Sequence, residues 1–146
     1  MKLDRREVPD GGPGLEPSLL IEPASVDEIF TINLIFWRMT TSAVAQARRP
    51  GIRISQIGRR SYGFSSIISA STVLVTTDWL FARGAGTFSA SSGGIRHTNP
   101  LPRGMLFSAL VRIDLLTQLL DAGDEITDFT VEIVRGTKDD LAALLL

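Results

Sequence analysis

Residues 28–39 read EIFTINLIFWRM. Phe30, Ile32, Leu34 and Phe36 alternate with Thr31, Asn33, Ile35 and Trp37, and β-branched and aromatic residues dominate. That pattern predicts a largely buried strand. A helix competes, because Ser25 followed three residues later by Glu28 makes a capping-box pattern. The downstream sequence favours the strand. GIRISQI (51–57), YGFSSIIS (62–69), STVLVTTDWLF (71–81), MLFSALVRIDL (105–115) and DEITDFTVEIV (124–134) are short, β-branched or alternating, and bounded by Gly, Pro or Ser. Short strands at near-regular spacing, divided by turn signals, predict an all-β fold, a single antiparallel sandwich or a barrel. GAGTFSASSGG (84–94) reads as a weak strand or loop, HTNPLPRG (97–104) as turns, and LLTQLLDAGD (115–124) as a helical turn or an extended approach to a turn.

Outside this region, residues 1–24 read as an extended arm. Pro9, Pro13, Pro17 and Pro23, with Gly11, Gly12 and Gly14, forbid a regular helix or a central strand. An arm of this composition frays unless a surface ties it down. Residues 25–136 form the expected β domain. Residues 137–146 form a tail, whose KDDLAALLL makes one amphipathic turn or a strap onto a neighbour.

The 146 residues suffice for one domain with a real core. A hydrophobic content of 44% excludes a disordered tail. No apolar run approaches the ~18 residues of a membrane-spanning helix, and the first residues lack the apolar centre of a signal peptide. There is no cysteine, which excludes disulfides, thiolate nucleophiles and cysteine metal sites.

Charge is segregated along the chain. Residues 1–37 carry a net −4, residues 38–112 a net +9 with Asp78 the one carboxylate, and residues 113–146 a net −6. Thirteen of the fifteen basic residues are arginine. The stretch 40–60, TTSAVAQARRPGIRISQIGRR, contains Arg48, Arg49, Arg53, Arg59 and Arg60 without lysine or carboxylate. Three outcomes are open. Folding interleaves the segments, or acidic termini of one copy meet the basic middle of another, or the middle binds nucleic acid. No nucleic-acid signature accompanies the arginines.

The residues that could carry chemistry do not assemble into a reactive set. His97 is the one histidine, too few for a histidine metal site. No Gly-x-Ser-x-Gly elbow occurs, and no phosphate-cradling loop. Asp121, Asp124, Glu125 and Asp128 cluster, but not in the helix-loop-helix calcium register, and read better as a solvated turn. Trp37 and Trp79 read as core residues. No enzyme activity, cofactor or metal is expected.

The order of these elements resembles small β-sandwich, jelly-roll-like virion proteins of tailed bacteriophages. In that family a strand ends in a Thr-Ser-rich turn followed by arginine and a second strand. A Leu-Pro turn and glycine then precede a long strand, and an Ala-Gly-Asp turn launches the last one. The corresponding residues here are Thr40–Ser42, Arg48 and Arg49, Leu101–Gly104 and Ala122–Asp124, and the resemblance spans roughly residues 28–135. It implies a non-enzymatic structural subunit, a capsid decoration or a head–tail component, in contact with copies of itself and other virion proteins, and located in the virion. The candidate interface residues are Arg48, Arg49, Arg53, Arg59 and Arg60, because arginine suits interface cores and bidentate pairing, with Leu141, Leu144 and Leu145 of the tail. Two other readings are a nucleic-acid module using residues 38–112 and a carbohydrate-binding domain stacking sugars on Trp37, Trp79 or Tyr62.

Overall fold

A computed structural model of the chain describes residues 1–66, 73–90 and 95–143, with the backbone alone at 88–90. The fold is all-β, with two sheets. The larger sheet has six strands in the order β1-β10-β3-β6-β8-β7. These are β1 (Lys2–Glu7), β3 (Ile29–Thr40), β6 (Thr76–Arg83), β7 (Phe88–Ala90), β8 (Ile95–Leu101) and β10 (Glu125–Gly136). The smaller sheet runs β2-β9-β4-β5, comprising β2 (Ser18–Ile21), β4 (Gly51–Gln56), β5 (Ser61–Ser65) and β9 (Val111–Leu115). Buried residues of both sheets, among them Trp37, Phe81 and Val131 from the larger and Ile21, Ile54 and Ile113 from the smaller, belong to one hydrophobic cluster.

The 28–39 stretch is the strand β3, between β10 and β6, so the capped-helix alternative does not form. Its alternation, however, is broken. Ile32 pairs with Ile133 and Leu34 with Glu132, which leaves Asn33 as an extra residue. A bulge of this kind reverses the side-chain parity beyond it. Phe30 and Ile32 therefore share the core with Ile35, Trp37 and Met39, while Leu34 and Phe36 stay half-buried on the opposite face. A second bulge in β10 follows Thr127 and contains Asp128 at φ +56°.

The antiparallel expectation fails at β6 and β8, which pair in parallel from Thr77↔Ile95 to Arg83↔Leu101. The turn-rich 97–104 stretch is strand as far as Leu101. Pro100 fits there because β7 pairs only with Arg96, His97 and Thr98, so the missing N–H falls beyond the flanking strand.

Residues 1–24 are not a free arm. They supply one edge strand to each sheet, β1 on β10 and β2 on β9. The prolines flank these strands rather than interrupt them. Between the two, Gly14 at φ +70° donates its N–H to the Asp124 carbonyl at 2.7 Å. A Cβ there would stand 2.9 Å from the Ala122 carbonyl oxygen. The arm is thus held by its own chain, and its order is no sign of a partner surface.

Glu16, in the same segment, accepts the Thr117 N–H at 2.9 and 3.1 Å through its two oxygens. Burial pushes its carboxyl up to about 7, with the Thr117 N–H opposing and Asp114 adding to the rise. A folded-state value above the unfolded one favours the protonated form. Its stabilisation is complete below 4.5 and is lost as pH rises through 7. Between pH 5 and pH 8.5 this group is expected to cost the wild type on the order of 2 kcal/mol that Glu16→Gln does not lose. Urea unfolding of both proteins at the two pH values measures the difference, and parallel pH dependence of the two would refute the assignment.

The tail begins as α1 (Lys138–Ala142), capped reciprocally by the Thr137 and Asp140 side chains. Leu141 is buried, against the expectation that it faces a neighbour, and α1 contacts β3 and β10 of its own chain. Leu144 and Leu145 lie outside the described residues.

Candidate assembly surfaces

The arginines expected at an interface divide by location. Arg48 is fully buried and makes a bidentate pair with Asp124, Nε to Oδ2 and Nη2 to Oδ1, both at 2.8 Å. Its Nη1 donates to the Gln46 carbonyl at 3.0 Å and its Nη2 to Ser42 Oγ at 3.1 Å. Asp124 also accepts the N–H groups of Ser42 at 2.7 Å and Asp121 at 2.9 Å. Burial alone would raise this carboxyl, but the Arg48 guanidinium and the two main-chain donors outweigh it and hold it below its ordinary value. Arg48 is therefore not an interface side chain. It clasps the loop after β3 to the turn before β10, and so joins the Thr-Ser turn, the arginine and the Ala-Gly-Asp turn in one buried corner. The solvated-turn reading of residues 121–128 is corrected at Asp124, which is buried, and at Asp121, which accepts Ser42 Oγ at 2.7 Å and the Gly123 N–H at 3.0 Å.

Arg53 projects from the outer face of the smaller sheet and meets Asp114 at 3.2 Å, which Arg112 also reaches at 3.0 Å. Arg38 pairs with Asp78 at 2.8 Å and Asp128 at 3.2 Å. Much of the basic middle segment is thus neutralised by the acidic end of the same chain, because antiparallel pairing returns β9 and β10 beside β4 and β3. Arg48 is therefore closed to a neighbour's carboxylates, while Arg53, a candidate interface residue, and Arg38, which is not one, already meet carboxylates of their own chain. Arg49, Arg59 and Arg60 are exposed and have no carboxylate partner among the described residues.

Trp37 and Trp79 face each other across β3 and β6 and are fully buried, which removes both as sugar-stacking platforms. Trp37 stacks on Phe81 at 5.8 Å, and His97 packs against Trp79 at 4.5 Å. Burial lowers the His97 pKa, so the neutral ring is favoured in this aromatic row. Among the described residues no group of three or more His, Asp or Glu side chains is placed to hold a metal ion.

The side chains that the strand alternation misassigned line a depression on the larger sheet. Leu34, Phe36 and Leu80 floor a depression of 400 Å³ on its outer face. An adjoining depression of 280 Å³ shares Arg5, Phe36 and Thr130 with it. Arg5, Arg96 and Glu132 rim the first, and Glu7, Asp10 and Asp128 the second. An apolar floor with a rim of both charge signs has the anatomy of a protein–protein contact. No local signal marks these residues, since only the bulge at Asn33 turns Leu34 and Phe36 outward. No protein-family model matches the chain, and no curated protein matches it.

Proposed function

We propose that this chain is a non-enzymatic structural subunit of a tailed-bacteriophage particle, a jelly-roll-like β-sandwich that decorates the capsid or joins head to tail by protein–protein contact. One observation carries the reading: the apolar groove of Leu34, Phe36 and Leu80, ringed by both charge signs, on the open face of the larger sheet. Supporting it, three of the elements that resemble the phage family, the Thr-Ser turn, Arg48 and the Ala-Gly-Asp turn, meet in the Arg48–Asp124 corner, whereas the Leu-Pro turn at 101–104 lies outside it. Under this reading a capsid, neck or tail protein fills the groove, and the chain resides in the virion. The nucleic-acid alternative is weakened because Arg38, Arg48, Arg53, Arg96 and Arg112 pair with aspartates of the same chain.

Mass spectrometry of density-purified phage particles that carry the chain tests the proposal. Wild-type protein is expected in multiple copies per particle, released by high salt. Phe36→Glu and the rim reversal Arg96→Glu are each expected to cut incorporation at least tenfold while the free protein keeps its far-ultraviolet spectrum. Particles lacking the wild-type chain, or unchanged incorporation of both folded variants, overturn it.

A further inference from the structure

We propose that β5 is a homodimerisation edge, pairing antiparallel with β5 of a second copy across a twofold axis at Gly63. Among the described residues β5 ends the smaller sheet and pairs with β4 alone. Its register fixes which main-chain groups are free. Gln56 N–H bonds to the Arg60 carbonyl and Ser66 N–H to the Pro50 carbonyl. In an antiparallel ladder bonded pairs alternate with non-bonded ones. The bonded pairs toward β4 are therefore those of Arg60, Tyr62, Phe64 and Ser66. The N–H and C=O groups of Ser61, Gly63 and Ser65 point away from the sheet.

Other edges are protected in the ways that block strand addition. β1 is KLDRRE, rich in charge. β2 lies between Pro17 and Pro23, and β7 has three residues. β5 is SYGFS, without charge or proline.

The identity of the partner follows from that sequence. Ser-aromatic-Gly-aromatic-Ser has the same chemistry read in either direction. Antiparallel pairing about Gly63 sets Ser61 against Ser65 of the second copy and Tyr62 against Phe64, with roughly six new main-chain hydrogen bonds. The aromatic pairs occupy non-bonded positions, where Cα atoms approach to about 4.5 Å and side chains meet most closely. Tyr62 and Phe64 lie on the core side of β5, opposite Ile54 and Ile52. Yet Tyr62 is 42% exposed, and beside it lies an open apolar depression lined by Phe64, Met105 and Leu106. Two copies joined this way extend the smaller sheet to eight strands and cover each other's exposed aromatic rings. At the axis, a Cβ on Gly63 would meet nothing within 4 Å in the single chain. Arg59 and Arg60 flank the pairing without entering it. This inference stands apart from the virion reading, and either can fail without the other.

Sedimentation equilibrium tests it. The wild type is expected to show a concentration-dependent species of twice the 15.9 kDa chain mass. Gly63→Glu, which sets like charges across the axis, is expected to weaken dimerisation at least tenfold. Gly63→Pro removes an outward donor and spares every β4–β5 bond, and is expected to do the same. The chain has no cysteine, so Gly63→Cys supplies an independent readout. Bonded partners about 5.5 Å apart lie within disulfide reach, so mild oxidation is expected to give a covalent dimer. Val26→Cys, at a 97% exposed site, is the control for random collision. A wild type that remains monomeric overturns the proposal. So does a dimer unaffected by either substitution, or cross-linking of Gly63→Cys no faster than of Val26→Cys.

Discussion

Arg48→Met is expected to lower unfolding stability by about 3–5 kcal/mol, because it leaves the Asp124 carboxylate buried without its counter-charge. Both side chains of the pair have 0% exposure, so water cannot take the place of the guanidinium. Asp124→Asn is expected to cost nearly as much, since Arg48 then keeps its charge and loses its anionic partner. Replacing both residues with apolar ones of similar volume is expected to recover part of the loss, because the stranded charge disappears with its partner. Denaturant unfolding of the two single variants and the double variant measures all three. A loss below about 1 kcal/mol for Arg48→Met would show that the corner is not the clasp described here. The pair also sets an acid limit. The Asp124 carboxyl titrates below its ordinary 3.8 in the folded state. Its stabilisation is therefore present above that value and is lost as pH falls through the lower, folded-state one. The wild type is expected to lose stability more steeply than the double variant below pH 4.

The second large effect lies at the opposite end of β10. Arg135 is a nearly buried hub, with Nε 3.1 Å from Asp4 Oδ2 and Nη1 2.7 Å from Glu28 Oε1 and 2.8 Å from the Glu22 carbonyl. Its guanidinium also sits 5.6 Å from the Phe30 ring centre. Removal takes the guanidinium from the partly buried Asp4 and Glu28 carboxylates and this donor from the Glu22 carbonyl. Arg135→Ala is expected to cost about 2–4 kcal/mol. Because Asp4 belongs to β1 and Glu22 and Glu28 to the segment between β2 and β3, the loss is expected to be uneven. Amide hydrogen exchange is expected to rise first in residues 1–28. Uniform exchange across both sheets would mean that Arg135 does not hold this segment. The result bears on assembly, since β1 contributes Arg5 to the candidate docking groove.

The strands β3, β4, β6, β9 and β10 were legible because alternation and turn residues are local, whereas β1, β2 and β8 were read as arm or turns. Val111–Leu115 and the run ending in Gly136 form where Arg112 and Asp114, or Thr130 and Glu132, interleave with apolar residues. The prolines at 9, 17 and 23 kept residues 1–24 out of sheet interiors, and both of their strands are edges. The corner turns were legible as motifs, though not as a contact. The candidate site was much less so. Leu34 and Phe36 read as one apolar face with Phe30 and Ile32, and the extra residue at Asn33 separates them. Arg48 and Arg49 are neighbours of identical type, yet one is sealed inside and the other lies in solvent.

Composition and local pattern suffice to show that this chain makes strands around one core, without cysteine chemistry and without an apolar run long enough for a membrane-spanning helix. Tertiary structure decided which arginines are spent internally, which strand edge stays open and which face carries the groove. The physical reason is distance along the chain. Periodicity within a strand reports only that one face is apolar, whereas the fate of Arg48 depends on Asp124, seventy-six residues away, and a single bulge reverses which face meets the core.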